Sequence, residues 1–318
     1  MVIAEELAKT QRSISIAEFF EKNKHLLGFD SPVRGIITTI KEAIDNSLDA
    51  CEEAQVLPDI LVSVRRVGDD VFRVVEEDNG PGIIPEKMPA VFAKLLYGSR
   101  FHQVRQSRGQ QGIGISAAVL NAQLTTGKPT TVISRTDNKH KARKMSLIIK
   151  TETNEPEVLS DEEIDWIMPH GTRIELEFKS SIGAKKKLLE YLKYTSIVNP
   201  HAKFMVEIDD ESYIFNRVSS EVPPCPAAIK PHPYGIELGV LKRMAGASRL
   251  PVNEFLSESF SKVGAKTSLE ICTAAKINQT AKASELSLDE LGRLHNAMQT
   301  TKIPAPTASQ CLSPITED

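Results

Sequence analysis

The chain has 318 residues, 41% of them hydrophobic and 25% charged, with a formal net charge of -3. That length buries a sizeable core and suits two domains, and the near-balanced charge excludes a protein that coats nucleic acid by bulk electrostatics, leaving only a local basic surface open. No apolar run approaches membrane-spanning length and the N-terminal MVIAEELAKTQRS lacks the pattern of a signal peptide, so the expectation is a cytoplasmic protein.

In chain order, SIAEFFEKNKHLL reads as a helix, Asp30-Ser31-Pro32 as a break, and a longer helix follows from about Pro32 to Ala54. Along it Val33, Ile36, Ile37, Ile40, Ile44, Leu48 and Cys51 recur at helical spacing, a stripe that should pack on a sheet. Glu42, Asn46 and Asp49 fall at i, i+4 and i+7 on the other side. Such a row is either a solvated face or a set of ligands, and spacing alone does not separate the two.

Strand-like runs come next: ILVSVRR, VFRVVEED, TTVISR, KMSLIIK, TRIELEF and KFMVEID. Between the second and third, residues 79 to 128 are rich in glycine and almost without strand pattern, and a connection that long inside a compact domain is usually functional. The second strand closes on Asp78-Asn79-Gly80-Pro81-Gly82, which is ordinary turn chemistry or a carboxylate placed to accept from an exocyclic amine. Farther on, SRGQQGIGISAAVL puts Gly109, Gly112 and Gly114 directly before an apolar helical run. Amides at such a helix start make a phosphate cradle, yet the loop matches neither G-x-x-x-x-G-K-[ST] nor a dinucleotide fingerprint after a strand.

Five prolines in VPPCPAAIKPHPYG, residues 222 to 235, mark a connector. Beyond it the pattern turns helical: GIELGVLKRMAG, LPVNEFLSESFSKVG, SLEICTAAKIN and SLDELGRLHNAMQ, with IPAPTASQCLSPITED at the end. The cysteines at 51, 225, 272 and 311 form no C-x-x-C pair and read as reduced structural thiols.

The ordered set E-x-x-x-N-x-x-D-A at Glu42 to Ala50, D-N-G-P-G at Asp78 to Gly82 and G-Q-Q-G-I-G-I-S at Gly109 to Ser116 resembles the nucleotide site shared by gyrase, the Hsp90 chaperone, sensor histidine kinases and MutL, the GHKL ATPases. Within that superfamily YGSRFHQVRQSRGQQGIGIS, and TTGKP at Thr125 to Pro129, are most similar to the B subunits of archaeal topoisomerase VI, a type II DNA topoisomerase. The resemblance implies an α+β fold. Residues 1–228 would form a Bergerat-type two-layer α/β sandwich, a mixed sheet covered by helices, that binds ATP. Residues 229–306 would form a small helix-two-turns-helix domain, and 307–318 a linker or the start of a transducer domain.

It also implies roles. Glu42 would be the general base on the attacking water, Asn46 would offer its amide oxygen to Mg²⁺, and Asp78 would accept from the adenine amino group. The triphosphate would lie against Gly109, Gln110, Gln111, Gly112, Ile113, Gly114, Ile115 and Ser116, covered by Ser99 and Arg100 of the preceding lid. His170-Gly171-Thr172 before RIELEF resembles the superfamily's late Gly-Thr element, whose hydroxyl assists adenine recognition, although Gly-Thr entering a strand is common in any protein. Asp49 is read as holding the helix or its neighbours and is left out of the site.

The implied partners are a second copy of the chain on ATP binding, double-stranded DNA, and a topoisomerase VI A subunit that carries the cutting tyrosine, in an A2B2 heterotetramer; no membrane partner is implied. The helical domain's Lys242, Arg243, Lys262, Lys266 and Lys276 leave a DNA contact and a plain structural bundle equally open. The family continues into a transducer whose lysine reaches the terminal phosphate, and CLSPITED resembles the beginning of that domain, so the chain is expected to be a piece of a longer protein. Two alternatives stand: a GHKL ATPase of chaperone or mismatch-repair type, which the helical domain placed directly after the ATPase disfavours, and a nucleotide-binding module without useful turnover.

Overall fold

The computed structural model describes residues 14–98, 105–109, 112–181 and 183–305. The chain divides into two compact units, one within residues 1–101 and 107–225, the other within 102–106 and 226–318.

In the first unit α1 (Ile16–Leu27) opens on a capping box between Ser15 and Glu18 and closes on Gly28 in the left-handed region. Helix α2 (Pro32–Glu53) starts where Ser31 accepts from the Arg34 amide, with Pro32 in the first turn, where a missing N–H costs nothing. Ile36, Ile40, Ile44, Leu48 and Cys51 of its stripe are buried, with Val33 and Ile37 packed on their margin. There follow β1 (Asp59–Arg66), β2 (Val71–Asp78), α3 (Met88–Ala93), α4 (Gly114–Thr126), β3 (Thr130–Arg135), β4 (Ala142–Lys150), β5 (Glu155–Ile164), β6 (Gly171–Lys179), α5 (Ala184–Val198), β7 (Lys203–Ile208) and β8 (Glu211–Phe215).

The strands form one sheet in the order β5-β4-β3-β6-β2-β1-β7-β8. Neighbours are antiparallel except β1 and β7, so the sheet is mixed, as expected. Helix α2 packs on β1 and β2, α4 on β6 and α5 on β7, which gives the two-layer α+β arrangement. Phe20, Ile40, Leu48, Leu120, Phe178 and Phe204 are among the fully buried side chains between the layers. Side chains that alternate to the other side of the sheet form charge pairs across strands, Arg73 with Glu177 and Arg173 with Glu77, as suits a sheet with one polar face.

Four helices and strands are additional to those read from the sequence, the first being the short α3 inside the long connection after β2. Strand β5, EPEVLSDEEI, has no buried residue and shows no apolar alternation; its pairing with β4 carries Arg143 ion pairs to Asp161 and Glu163. Helix α5 opens on AKKK, which hides its buried Leu188 and Leu192, and β8 is a partly exposed outer strand.

The second unit is helical: α6 (Leu238–Ala247), α7 (Val252–Ser259), α8 (Ala265–Ala275) and α9 (Leu288–Thr300), with two short 3-10 turns. Its core is its own, built on Leu241, Phe255, Leu256, Phe260, Ile271 and Met298, with the Phe255 and Phe260 rings edge-on at 5.8 Å. Helix α8 ends on Lys276 in the left-handed region, and α9 begins with a capping box between Ser287 and Glu290. Cys51 and Cys272 are buried thiols. Among the described residues no helix is long and apolar enough to cross a membrane.

Candidate functional site

The three motifs converge on one cavity of about 1080 Å³, lined by Glu42 and Asn46 from α2, Asp78 at the end of β2, Thr172 at the start of β6, and Gly109, Gly112, Ile113, Gly114, Ile115 and Ser116. Its size is at the upper end of the range for small-molecule sites. Ser99, Arg100, Gln110 and Gln111 lie outside the described residues.

Helix α2 supplies one wall because its apolar stripe is fixed on β1 and β2, which turns Glu42 and Asn46 toward the glycine loop. Glu42 is held closely. A Cβ on Gly114 would stand 1.8 Å from Glu42 Oε2, so the first residue of α4 has no side chain because the carboxylate rests against its backbone. Lys41 Nζ lies 3.5 Å from Glu42 Oε1 and 2.9 Å from Asp45 Oδ2. Ser116 is buried and donates to the Ile113 carbonyl at 3.0 Å, tying the start of α4 to the loop before it.

Asp78 forms the polar floor. The Gly80 amide donates to its Oδ1 at 2.7 Å and the Ser47 hydroxyl lies 3.0 Å from its Oδ2. Burial pushes its carboxyl up to about 6, against the pull of the Gly80 amide, Ser47 and the Thr172 amide. Asn79 is turn chemistry: its side chain accepts from the Asp59 amide at 2.8 Å and donates to the Leu57 carbonyl at 3.1 Å. Gly82, at φ 71, passes so near Arg135 that a Cβ would meet its carbonyl oxygen at 2.1 Å. The His170 ring nitrogen Nδ1 is 2.8 Å from the Gly80 carbonyl, and Thr172 Oγ1 is 3.2 Å from Ser134 Oγ, so the late Gly-Thr element is woven into the same floor.

Two groups at the site escape a reading by motif. Glu76, two residues before Asp78 on the same side of β2, is buried, and its Oε1 is 2.6 Å from Ser47 Oγ. Burial and the neighbouring Asp78 push its carboxyl well up. A charged residue in phase with the core-facing positions of a strand is the signal that would have found it.

The second is Arg108, at the root of the glycine loop. Its guanidinium bonds Asp49 Oδ1 at 2.8 Å, both oxygens of Glu52 at 2.8 Å, and Asn199 Oδ1 at 2.7 Å. His201 Nε2 lies 3.0 Å from Glu52 as well. Burial opposes the charge on Glu52, yet His201 and Arg108 hold its carboxyl below the usual range. Asp49 is therefore occupied in binding the loop to α2.

Among the described residues no group of three or more His, Cys, Asp or Glu is arranged to hold a metal ion. Asn46, with its amide oxygen, is among the residues that line the cavity.

A family model described as histidine kinase-, DNA gyrase B-, and HSP90-like ATPase matches residues 32–181. The chain is 54% identical, over 99% of its length, to the B subunit of type 2 DNA topoisomerase 6 from Methanococcoides burtonii, and covers 51% of that protein. With the protein of the same name from Archaeoglobus fulgidus it shares 52% identity over 96% of its length, again covering 51% of the relative. It thus spans about half the length of the curated relatives it matches. Among solved structures, the Aquifex aeolicus MutL ATPase domain complexed with ADP aligns with 57% of this chain and 64% of that one at 20% identity and a TM-score of 0.37. Along nearly all of its residues the chain is similar to type 2 DNA topoisomerase 6 B subunits, and its residues 32–181 match the histidine kinase-, gyrase B- and HSP90-like ATPases.

Proposed function

We propose that this chain is the ATP-binding and ATP-hydrolysing part of the B subunit of a type II DNA topoisomerase, which dimerises on ATP and with a DNA-cleaving A subunit drives one duplex through another, relaxing supercoiled DNA. The observation that carries the reading is the convergence of Glu42, Asn46, Asp78 and the Gly109 to Ser116 loop on one cavity. Residues 229–306 would be its helix-two-turns-helix domain, and residues 307–318 a linker or the beginning of a transducer domain. The compartment would be the cytoplasm.

In this reading Asp78 accepts from the adenine amino group, backed by the Gly80 amide and Ser47. The amides of the loop and of the first turn of α4 receive the phosphates, as helix starts do. Mg²⁺, held by the Asn46 amide oxygen and phosphate oxygens, supplies charge neutralisation on the triphosphate. Glu42 orients the attacking water and takes its proton, a role that its seat against Gly114 keeps in register with the phosphate-binding turn.

The test is base preference. Asp78→Asn exchanges an acceptor for a group that also donates, so selectivity for ATP over GTP falls by about tenfold or more in calorimetric titrations. Unchanged selectivity would remove Asp78 from base recognition. Asn46→Ala is expected to weaken ATP only when Mg²⁺ is present, and equal affinities with and without the metal in both proteins would end the ligand assignment.

A further inference from the structure

Strand β2 sends Val74, Glu76 and Asp78 to the side covered by helices, and in register Glu76 stands between Val62 of β1 and Ile174 of β6, both buried and apolar. A carboxyl in that row has no place in the packing of the core. Its one hydrogen-bond partner among the described residues is Ser47 of α2, whose Oγ is 2.6 Å from Glu76 Oε1 and 3.0 Å from Asp78 Oδ2.

A hydroxyl carries one proton and can serve only one of these contacts. The other oxygen pair needs a proton from a carboxyl, since two bare oxygens at such a distance repel. At least one of the two acids is therefore protonated. The charge goes to the acid with more donors. Asp78 has the Gly80 amide at 2.7 Å and the Thr172 amide beside it, whereas Glu76 has only Ser47.

Nothing else around the pair competes for the charge. Cys51 of α2 is a neutral thiol that burial and these same acids push up. Glu77 points to the opposite side of the sheet and is paired with Arg173, and His170 is engaged with the Gly80 carbonyl. Among the described residues, the groups that act most on the two acids include no cation.

We propose that Glu76 is a positioning residue for base recognition: its carboxyl keeps a proton, donates it to Ser47, and so commits the single Ser47 hydroxyl proton to Asp78. Asp78 is thereby held as a carboxylate facing the cavity. Without Glu76, Ser47 is free to turn to the carbonyl one helical turn back, as serines within helices do, and Asp78 loses a donor. The inference rests on Asp78 being the acceptor that reads the base.

Two measurements test it. The first needs no ligand: the infrared band of a protonated carboxyl is expected in the folded protein at pH 7.5 and lost in Glu76→Gln. Absence of the band, or its persistence in that variant, overturns the proposal whatever the protein binds. The second is ADP affinity from pH 5 to 8.5. In the unchanged protein affinity falls on the acid side as Asp78 takes up a proton. Glu76→Gln, whose amide still donates to Ser47, leaves that midpoint in place. Glu76→Val and Ser47→Ala each move it up by about one pH unit, and their double variant moves it no farther. A midpoint that drops in Glu76→Gln would mean that Glu76 was charged, and one unmoved in both Glu76→Val and Ser47→Ala would mean that it directs nothing; either outcome overturns the proposal. Absence of any ADP binding by the unchanged protein would instead sink the nucleotide reading and this inference with it.

Discussion

At the scale of single residues, the contact between Glu42 and Gly114 separates binding from chemistry. Glu42→Ala is expected to leave ATP affinity within a few-fold while hydrolysis falls by about a hundredfold or more, because the base acts on water and the affinity comes from other groups. Gly114→Ala reaches the same end from the other side, since its methyl group would occupy the position of Glu42 Oε2. Steady-state turnover and calorimetric affinity on the same preparations check both, and equal losses of binding and turnover in Glu42→Ala would count against the base. The acids of the floor also set a pH dependence. Asp78 titrates at about 6 in the folded protein, above its ordinary value near 4, and Glu76 is raised in the same sense. Between those values the folded state holds a proton that the unfolded state has released, so ligand-free stability is highest below about pH 4 for this group and declines as pH rises through 6, by on the order of 3 kcal/mol. Urea unfolding across that range should show the decline, and Asp78→Asn should flatten it. If Asp78 reads the base, ATP affinity is expected to run the opposite way, rising with pH as Asp78 becomes charged.

At the scale of elements, Arg108 joins the root of the glycine loop to α2 and to the segment after α5. Arg108→Ala would remove the guanidinium from Asp49 and Glu52 in a half-buried place and is expected to cost about 2–3 kcal/mol, measured by denaturant unfolding, along with a loss of ATP affinity as the loop loosens. Arg108→Lys recovers only part of this, because an ammonium cannot fork between two carboxylates and an amide. Much of this element layer was legible in advance. The stripe Ile36 to Cys51 announced α2, and β-branched runs announced six of the eight strands, since burial on one side imposes a period on the residues. Strand β5 was not legible because its outer position lets acidic residues replace apolar ones, and α5 was masked by lysines that leave its buried face narrow. At the site, Glu42, Asn46 and Asp78 could be read because each belongs to a motif. Glu76 carried a signal in its phase along β2, but its link to Ser47 could not be read, because it depends on α2 crossing β2 at that height, which only the packed structure supplies.

For the whole molecule, the two units have separate cores, and the described residues that line the cavity are all in the first. ATP at about a hundred times its dissociation constant should therefore add about 2.7 kcal/mol to the first unit. Scanning calorimetry is expected to show one transition that moves up with nucleotide and one that stays; a helical transition that moves equally would contradict the assignment of the site to one core. The strand order has a further consequence, for the chain as it is made. Strands β1 and β2 are neighbours in sequence and form a hairpin early, yet their outer partners, β6 and β7, begin only at Gly171 and Lys203. At ordinary rates of translation the hairpin waits on the order of ten seconds with both margins bare. Its apolar side, Ile60, Val62, Val64, Phe72 and Val74, is uncovered for as long unless α2, already synthesised, lies down on it first. The helix that carries Glu42 and Asn46 would then serve the nascent chain as a shield against aggregation, and substitutions that weaken its stripe would appear first as low yield from the ribosome and only afterwards as low activity.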